Sequence, residues 1–185
     1  MIEQSTLTTE RLILRPYSLT DAKELQKLIG DRDVADTMFS VPHPYADGMA
    51  EFWLNQQLLE FEAGKSVTFA ITNKDRGFLM GTISLSLISK EHERAEIGYW
   101  LGKVYWHKGY CTEVARAVVK YGFEVLGLNR IYATHMTRNP RSGRVMQKIG
   151  MQHEGHMRQY LRKWDKFEDV EMYAILRSDF NKQNT

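Results

Sequence analysis

The sequence is poor in the residues that staple a chain, bind metal or cross a bilayer. It has one cysteine, Cys111, so no intrachain disulfide can form. Its six histidines fall into no C-x2-C or H-E-x-x-H arrangement, which argues against a metal centre. No apolar run approaches the ~18 residues that suggest a membrane span. The opening stretch MIEQSTLTTERLILRP lacks a basic segment followed by an apolar signal core, so the cytoplasm is the expected location. A formal charge of +2 is too small to predict a polyanion partner, because nucleic-acid binders concentrate Lys and Arg. The expectation is therefore no metal, no nucleic acid and no membrane partner. Low-complexity segments, internal repeats and linkers are also missing.

What is there is ordinary globular composition, 43% hydrophobic and 26% charged. A chain of 185 residues can bury one substantial core, so a single domain over 1–185 is expected. RLILRPY (11–17) reads as a strand, with Pro16 near its end. SLTDAKELQKLIGD follows as a helix: Ser18 and Asp21 form a capping box, Leu25, Leu28 and Ile29 an apolar stripe, and Gly30 a stop. After the proline-rich loop VPHPYADG, 49–63 carries apolar residues at helical spacing. SVTFAIT, FLMGTISLSLIS and RAEIGYWLG then alternate with polar turns as an antiparallel meander. A helix over 110–126, a strand in NRIYATHMT, a short helix in NPRSGRVMQKIG, and strands over 152–161 and 167–176 complete the order. The order implies an α/β (α+β) fold with a mixed sheet covered by helices.

The junction between RAEIGYWLG and the 110–126 helix draws attention because a helix N-terminus presents amides without intrahelical acceptors and a partial positive charge. Gly109 allows an unusual torsion there, and Lys108 and Thr112 add a charge and a hydroxyl, so residues 106–112 suit a pyrophosphate. A plain glycine-containing connection is the competing reading. Neither G-x-x-x-x-G-K-[ST] nor G-x-G-x-x-G occurs, which sets nucleotide-binding loops of those kinds aside.

Three stretches, TTERLILRPYSLTDA, AEIGYWLGKVYWHKGYCTEVARAVVKYGFEVLGLNRI and NPRSGRVMQKIGMQHEGHMRQYLRKWDKFEDVEMYAIL, together resemble the GCN5-related N-acetyltransferases (GNAT). Within them they look like the branch of ribosomal-protein N-terminal acetyltransferases, and the resemblance covers almost the whole chain. It implies a GNAT fold with a mostly antiparallel central sheet, acetyl-CoA as cosubstrate and a primary amine as acceptor (a protein N-terminus or a small amine). A non-catalytic acyl-CoA-binding or sensing module is the alternative, and the oligomeric state, monomer or homodimer, is open. It further implies that Trp100 and Leu101 hold the thioester arm on a splayed strand. The loop Trp106, His107, Lys108, Gly109, Tyr110, Cys111 and Thr112 would hold the diphosphate. Against the superfamily pattern [QR]-x-x-G-x-[GA], Trp106 replaces Gln/Arg and Cys111 replaces Gly/Ala. Phosphate binding then rests more on backbone amides.

Acetyl transfer to nitrogen needs a neutral amine, a stabilised oxyanion and a proton for the departing thiolate. An α-amine of pKa about 8 costs only ~1.4 kcal/mol to deprotonate at pH 7, against ~4.6 kcal/mol for a lysine. Glu96 lies where the resemblance puts a carboxylate that takes this proton, directly or through water; a solvated strand carboxylate or an ion pair with Arg94 is the alternative. In NPRS the resemblance implies that Asn139 contacts the pantetheine arm and Ser142 the CoA sulfur, while Asn139 is also a good N-cap before Pro140. Tyr110 and Tyr173 are alternative proton donors or else core or rim residues, and Cys111, at a helix N-terminus, is either a thiol of lowered pKa or simply a small loop residue. Phe39, His43, Tyr45 and Trp53 are expected either to line the acceptor channel or to pack in the core.

Overall fold

The computed structural model describes residues 4–183; 1–3 and 184–185, the ends of the expected domain, lie outside the described residues. In chain order come β1 (Leu7–Thr8), β2 (Leu12–Arg15), α1 (Ala22–Ile29), α2 (Arg32–Asp36) and α3 (Met49–Glu62). The meander β3 (Val67–Asn73), β4 (Leu79–Ser89) and β5 (Arg94–Leu101) follows, then α4 (Tyr110–Glu124), β6 (Arg130–Met136) and α5 (Pro140–Lys148). The hairpin β7 (Gln152–Lys163) and β8 (Lys166–Leu176) leads into α6 (Arg177–Gln183). The capping box of Ser18 and Asp21 forms, but on a tight turn over Leu19–Asp21 that precedes α1. Segments β1, α2 and α6 were not expected: each is too short for periodicity to register, and α2 is a single turn whose Asp31 side chain accepts from the Asp33 and Val34 amides. The 110–126 helix ends at Glu124, ahead of the left-handed Gly127.

The strands form one sheet ordered β1-β2-β3-β4-β5-β6-β8-β7. Along β3 the side chains alternate between faces, so Phe69 and Ile71 enter one core while Ala70 enters the other. Val114, Ala115, Val118 and Val119 of α4 and Met146 of α5 fill the first core; Leu25, Leu28 and Ile29 of α1 with Ala50 and Leu54 of α3 fill the second. Both sheet faces are thereby covered.

The feature that positions the site lies in the middle of this sheet. The crossover through α4 makes β5 and β6 parallel, but they pair only at Arg94↔Arg130, Ala95↔Ile131 and Glu96↔Tyr132. Beyond Glu96 each strand follows its other neighbour: β5 stays with β4 to Gly81↔Leu101, and β6 stays with β8 to Met136↔Val170. The two strands diverge, and one edge of β5 from Ile97 onward faces the gap rather than a strand.

Candidate active site

A cleft of about 670 Å³ occupies this divergence. It is lined by Glu96 to Leu101 of β5, Thr134 and His135 of β6, the 106–112 loop and turn, Thr37–Val41 and Trp53.

The loop end owes its shape to two left-handed residues, His107 (φ +63°) and Gly109 (φ +80°, ψ −1°), directly before α4. No side chain caps α4, so the amides of its first turn remain available. The loop is braced from outside. The Trp106 indole donates to the Leu101 carbonyl at 2.7 Å. Arg11 donates from Nη1 to the Lys108 carbonyl at 3.1 Å, and its guanidinium lies 4.4 Å from the centre of the Tyr110 ring. Glu113 accepts from the Thr9 hydroxyl at 2.6 Å, the Arg11 amide at 2.9 Å and Arg11 Nε at 2.7 Å. Partial burial opposes its charge, but these bonds prevail and hold the Glu113 carboxyl below the usual range. An acid that would repel an anion from the helix start is thus already neutralised.

Where the two strands part, Glu96 sits half-buried and accepts from Thr134 Oγ1 at 2.9 Å. Burial raises its pKa, and the Thr134 hydrogen bond only partly offsets that. The expected alternative, an ion pair with Arg94, does not form among the described residues. Ser142 also lines the cleft, and its hydroxyl lies 3.1 Å from the Tyr99 hydroxyl, which donates to the Ser142 carbonyl at 3.0 Å. Burial raises the Tyr99 pKa well above the ordinary phenol value, so it stays a neutral donor. Sequence reasoning missed Tyr99; its neighbour Trp100 drew the attention, and only the alternation of side chains along β5 hinted that the two point apart.

Several expectations need correction. Asn139 makes no side-chain capping bond; its φ of −111° and ψ of 63° instead bring its carbonyl to the Ser142 amide at 3.1 Å, and its side chain lines the cleft. Cys111 is pushed up to about 12 by burial, which disfavours the thiolate, rather than lowered. Tyr173 is buried between His135 and His153, with Gln147 at 3.4 Å from its hydroxyl, and does not line the cleft. Phe39 and Trp53 border the cleft, whereas His43 packs against Trp164 and Tyr45 belongs to the second core. Trp100, Leu101, Trp106, His107, Lys108, Gly109, Tyr110, Cys111 and Thr112 all border the cleft, although Leu101 is almost fully buried.

Charge within the cleft is segregated. Glu96 is the one carboxylate among its described lining residues, and the cations Lys108, Arg141, Arg144 and Lys148 cluster at the loop and along α5. The arrangement suits an extended ligand with an anionic end at the start of α4, an apolar and hydroxyl-bearing middle, and a reacting end near Glu96.

Comparison with known proteins agrees. Residues 11–152 match the family model described as the Acetyltransferase (GNAT) domain. The uncharacterized N-acetyltransferase p20 of Bacillus licheniformis is 33% identical, covering 95% of this chain and 98% of that protein. The [ribosomal protein uS5]-alanine N-acetyltransferase of Escherichia coli is 25% identical over 94% of this chain and 92% of its own length. A crystal structure of a GNAT-family acetyltransferase from Bacillus anthracis superposes with a TM-score of 0.83 at 29% identity, covering 94% and 99% of the two chains. This chain therefore belongs to the GNAT family and is an acetyl-CoA-dependent N-acetyltransferase that acts on an amine.

Proposed function

We propose that the acceptor is the α-amine of a protein N-terminus, with Glu96 as the proton acceptor and Ser142 as the group that meets the departing sulfur. The observation that carries this reading is the lone carboxylate among the cleft's described lining residues, to which Thr37–Val41, Trp53, Thr82, Ser84 and Thr134 add hydroxyls and apolar surface. A polyamine carries several ammonium groups and would leave all but one without an anionic partner there. A peptide N-terminus carries one, and its low pKa asks little of a base.

Acetyl-CoA supplies an activated acetyl thioester; the chain's own residues do the rest. The first-turn amides of α4, with Gly109 letting the backbone approach closely, hold the diphosphate. The free edge of β5 beyond Glu96 receives the pantetheine arm alongside Trp100, with the Asn139 amide facing it. Glu96, held basic enough by its partly buried site, takes the proton lost by the attacking amine. Ser142 donates to the sulfur as it leaves with the C–S electron pair, and Tyr99 keeps that hydroxyl in place. The uS5-alanine relative supports a protein substrate; the ribosome is one source of such N-termini.

The test is a panel of acceptors under one assay of released thiol: short peptides with free N-termini, the same peptides N-blocked but containing lysine, and spermidine. Turnover of the free N-termini with little of the blocked peptides or spermidine is expected. Preferential turnover of spermidine would overturn the acceptor assignment.

A further inference from the structure

Residues 37–41 line the cleft yet belong to no helix or strand. Past Met38, whose amide donates to the Ala35 carbonyl at 3.3 Å, no backbone hydrogen bond among the described residues fixes them. Two cations hold the segment instead, one at each end. At its start, Arg138 donates to the Asp36 carbonyl and to Asp36 Oδ1, both at 3.0 Å, while its Nε donates to Glu168 of β8 at 2.9 Å. At its far end, Lys163 Nζ donates to the Val41 carbonyl at 2.6 Å. Lys163 closes β7 and is only 3% exposed. No carboxylate among the described residues pairs with it, and its Nζ lies 4.7 Å from the centre of the Trp164 ring. Burial lowers its pKa; the charge of Asp36 opposes that and the charge of Arg138 adds to it. An ammonium is costly to desolvate, and one carbonyl and one ring recover only part of that cost. Asp36, Arg138 and Lys163 border not the cleft but a second cavity of about 510 Å³.

We propose that Lys163 and Arg138 are positioning residues for the amine acceptor: from outside the cleft they fix residues 37–41, acting through Val41 and Asp36, and so set how tightly the acceptor binds. The inference rests on the proposed seating of the cosubstrate at the start of α4 and along the free edge of β5, which leaves the uncharged 37–41 wall to the acceptor. A wall already ordered in the free enzyme spares the acceptor the entropic cost of ordering it. Releasing either anchor returns that cost to the binding step, while Glu96 and Ser142 stay where they are.

The experiment uses Lys163→Met, which keeps the reach of the side chain and removes the donor, and Asp36→Ala, which removes one of the two groups that Arg138 holds there. Methionine at 163 leaves no charge to desolvate and Asp36 is partly exposed, so folded variants are the expectation, checked by thermal melts. Thiol release with free-N-terminus peptides and with spermidine gives the acceptor KM and kcat, and calorimetry gives the acetyl-CoA affinity. The acceptor KM should rise about tenfold in Lys163→Met. In Asp36→Ala it should rise about threefold, because Arg138 keeps the Asp36 carbonyl. In both, kcat and acetyl-CoA affinity should stay within about twofold of the wild type, the signature of lost acceptor binding alone. A folded variant with the wild-type acceptor KM, or one that loses as much affinity for acetyl-CoA as for the acceptor, overturns the role of that anchor. If one substitution prevents folding, the other decides. Preferential turnover of spermidine refutes the α-amine reading alone, since the anchors are then judged on the spermidine KM by the same criteria.

Discussion

Gly109 offers a test with an internal control. Its φ of +80° lies in the left-handed region, and a Cβ placed there would have Arg11 Nη2 as its nearest atom at 3.6 Å, an ordinary contact. Alanine at this position therefore meets torsional strain without a clash, costing about 1–2 kcal/mol. Gly48 precedes α3 with almost the same torsions, φ 82° and ψ −13°, and nothing within 4 Å of its would-be Cβ. It does not line the cleft. Gly109→Ala and Gly48→Ala should thus lower stability alike, each by about 2–8 °C in Tm for a chain of this size. Only Gly109→Ala should weaken acetyl-CoA binding, because relaxing the torsion turns first-turn amides away from the phosphates. Loss of one charge-assisted hydrogen bond amounts to about 1.5–3 kcal/mol, or roughly ten- to a hundredfold in Kd. Differential scanning calorimetry gives the first quantity and titration calorimetry the second. If Gly109→Ala is destabilised like its control yet binds acetyl-CoA as the wild type does, the diphosphate is not held at this helix end.

Two further outcomes bear on the chemistry. Glu96→Gln should reduce kcat/KM at neutral pH by about a hundredfold or more and remove the acid limb of its pH profile. Because burial raises the folded-state pKa of Glu96, the folded protein binds more protons than the unfolded chain between the two pKa values, and stability falls as pH rises through that interval. The variant should accordingly melt higher than the wild type at pH 8, with the gap closing below the carboxylate range; unchanged activity would exclude Glu96 as the base. Tyr99→Phe removes the hydroxyl 3.1 Å from Ser142 Oγ and should lower kcat about fivefold while sparing the acetyl-CoA KM. In a Ser142→Ala background it should have no further effect on kcat, and an equal loss in both backgrounds would show that Tyr99 does not act through Ser142.

Much of this molecule was written in local pattern. The alternation in RAEIGYWLG, the glycine before YCTEVARAVVKYG and the proline opening α5 specify strand, turn and helix through steric and hydrogen-bond rules that act within a few residues. They also place the 106–112 loop at a helix start. The opening of the cleft was not legible, because it depends on where β5 stops pairing with β6, and that is set by each strand's competing partner on its far side. Contacts between distant residues shared that fate: Thr134 on Glu96, Tyr99 on Ser142 and Arg11 on Glu113. So did the fate of Cys111, whose position at a helix end was visible while the burial that governs its thiol was not. Torsional preference and periodicity belong to neighbours in the chain; desolvation and side-chain pairing belong to neighbours in space, and only the folded chain decides who they are.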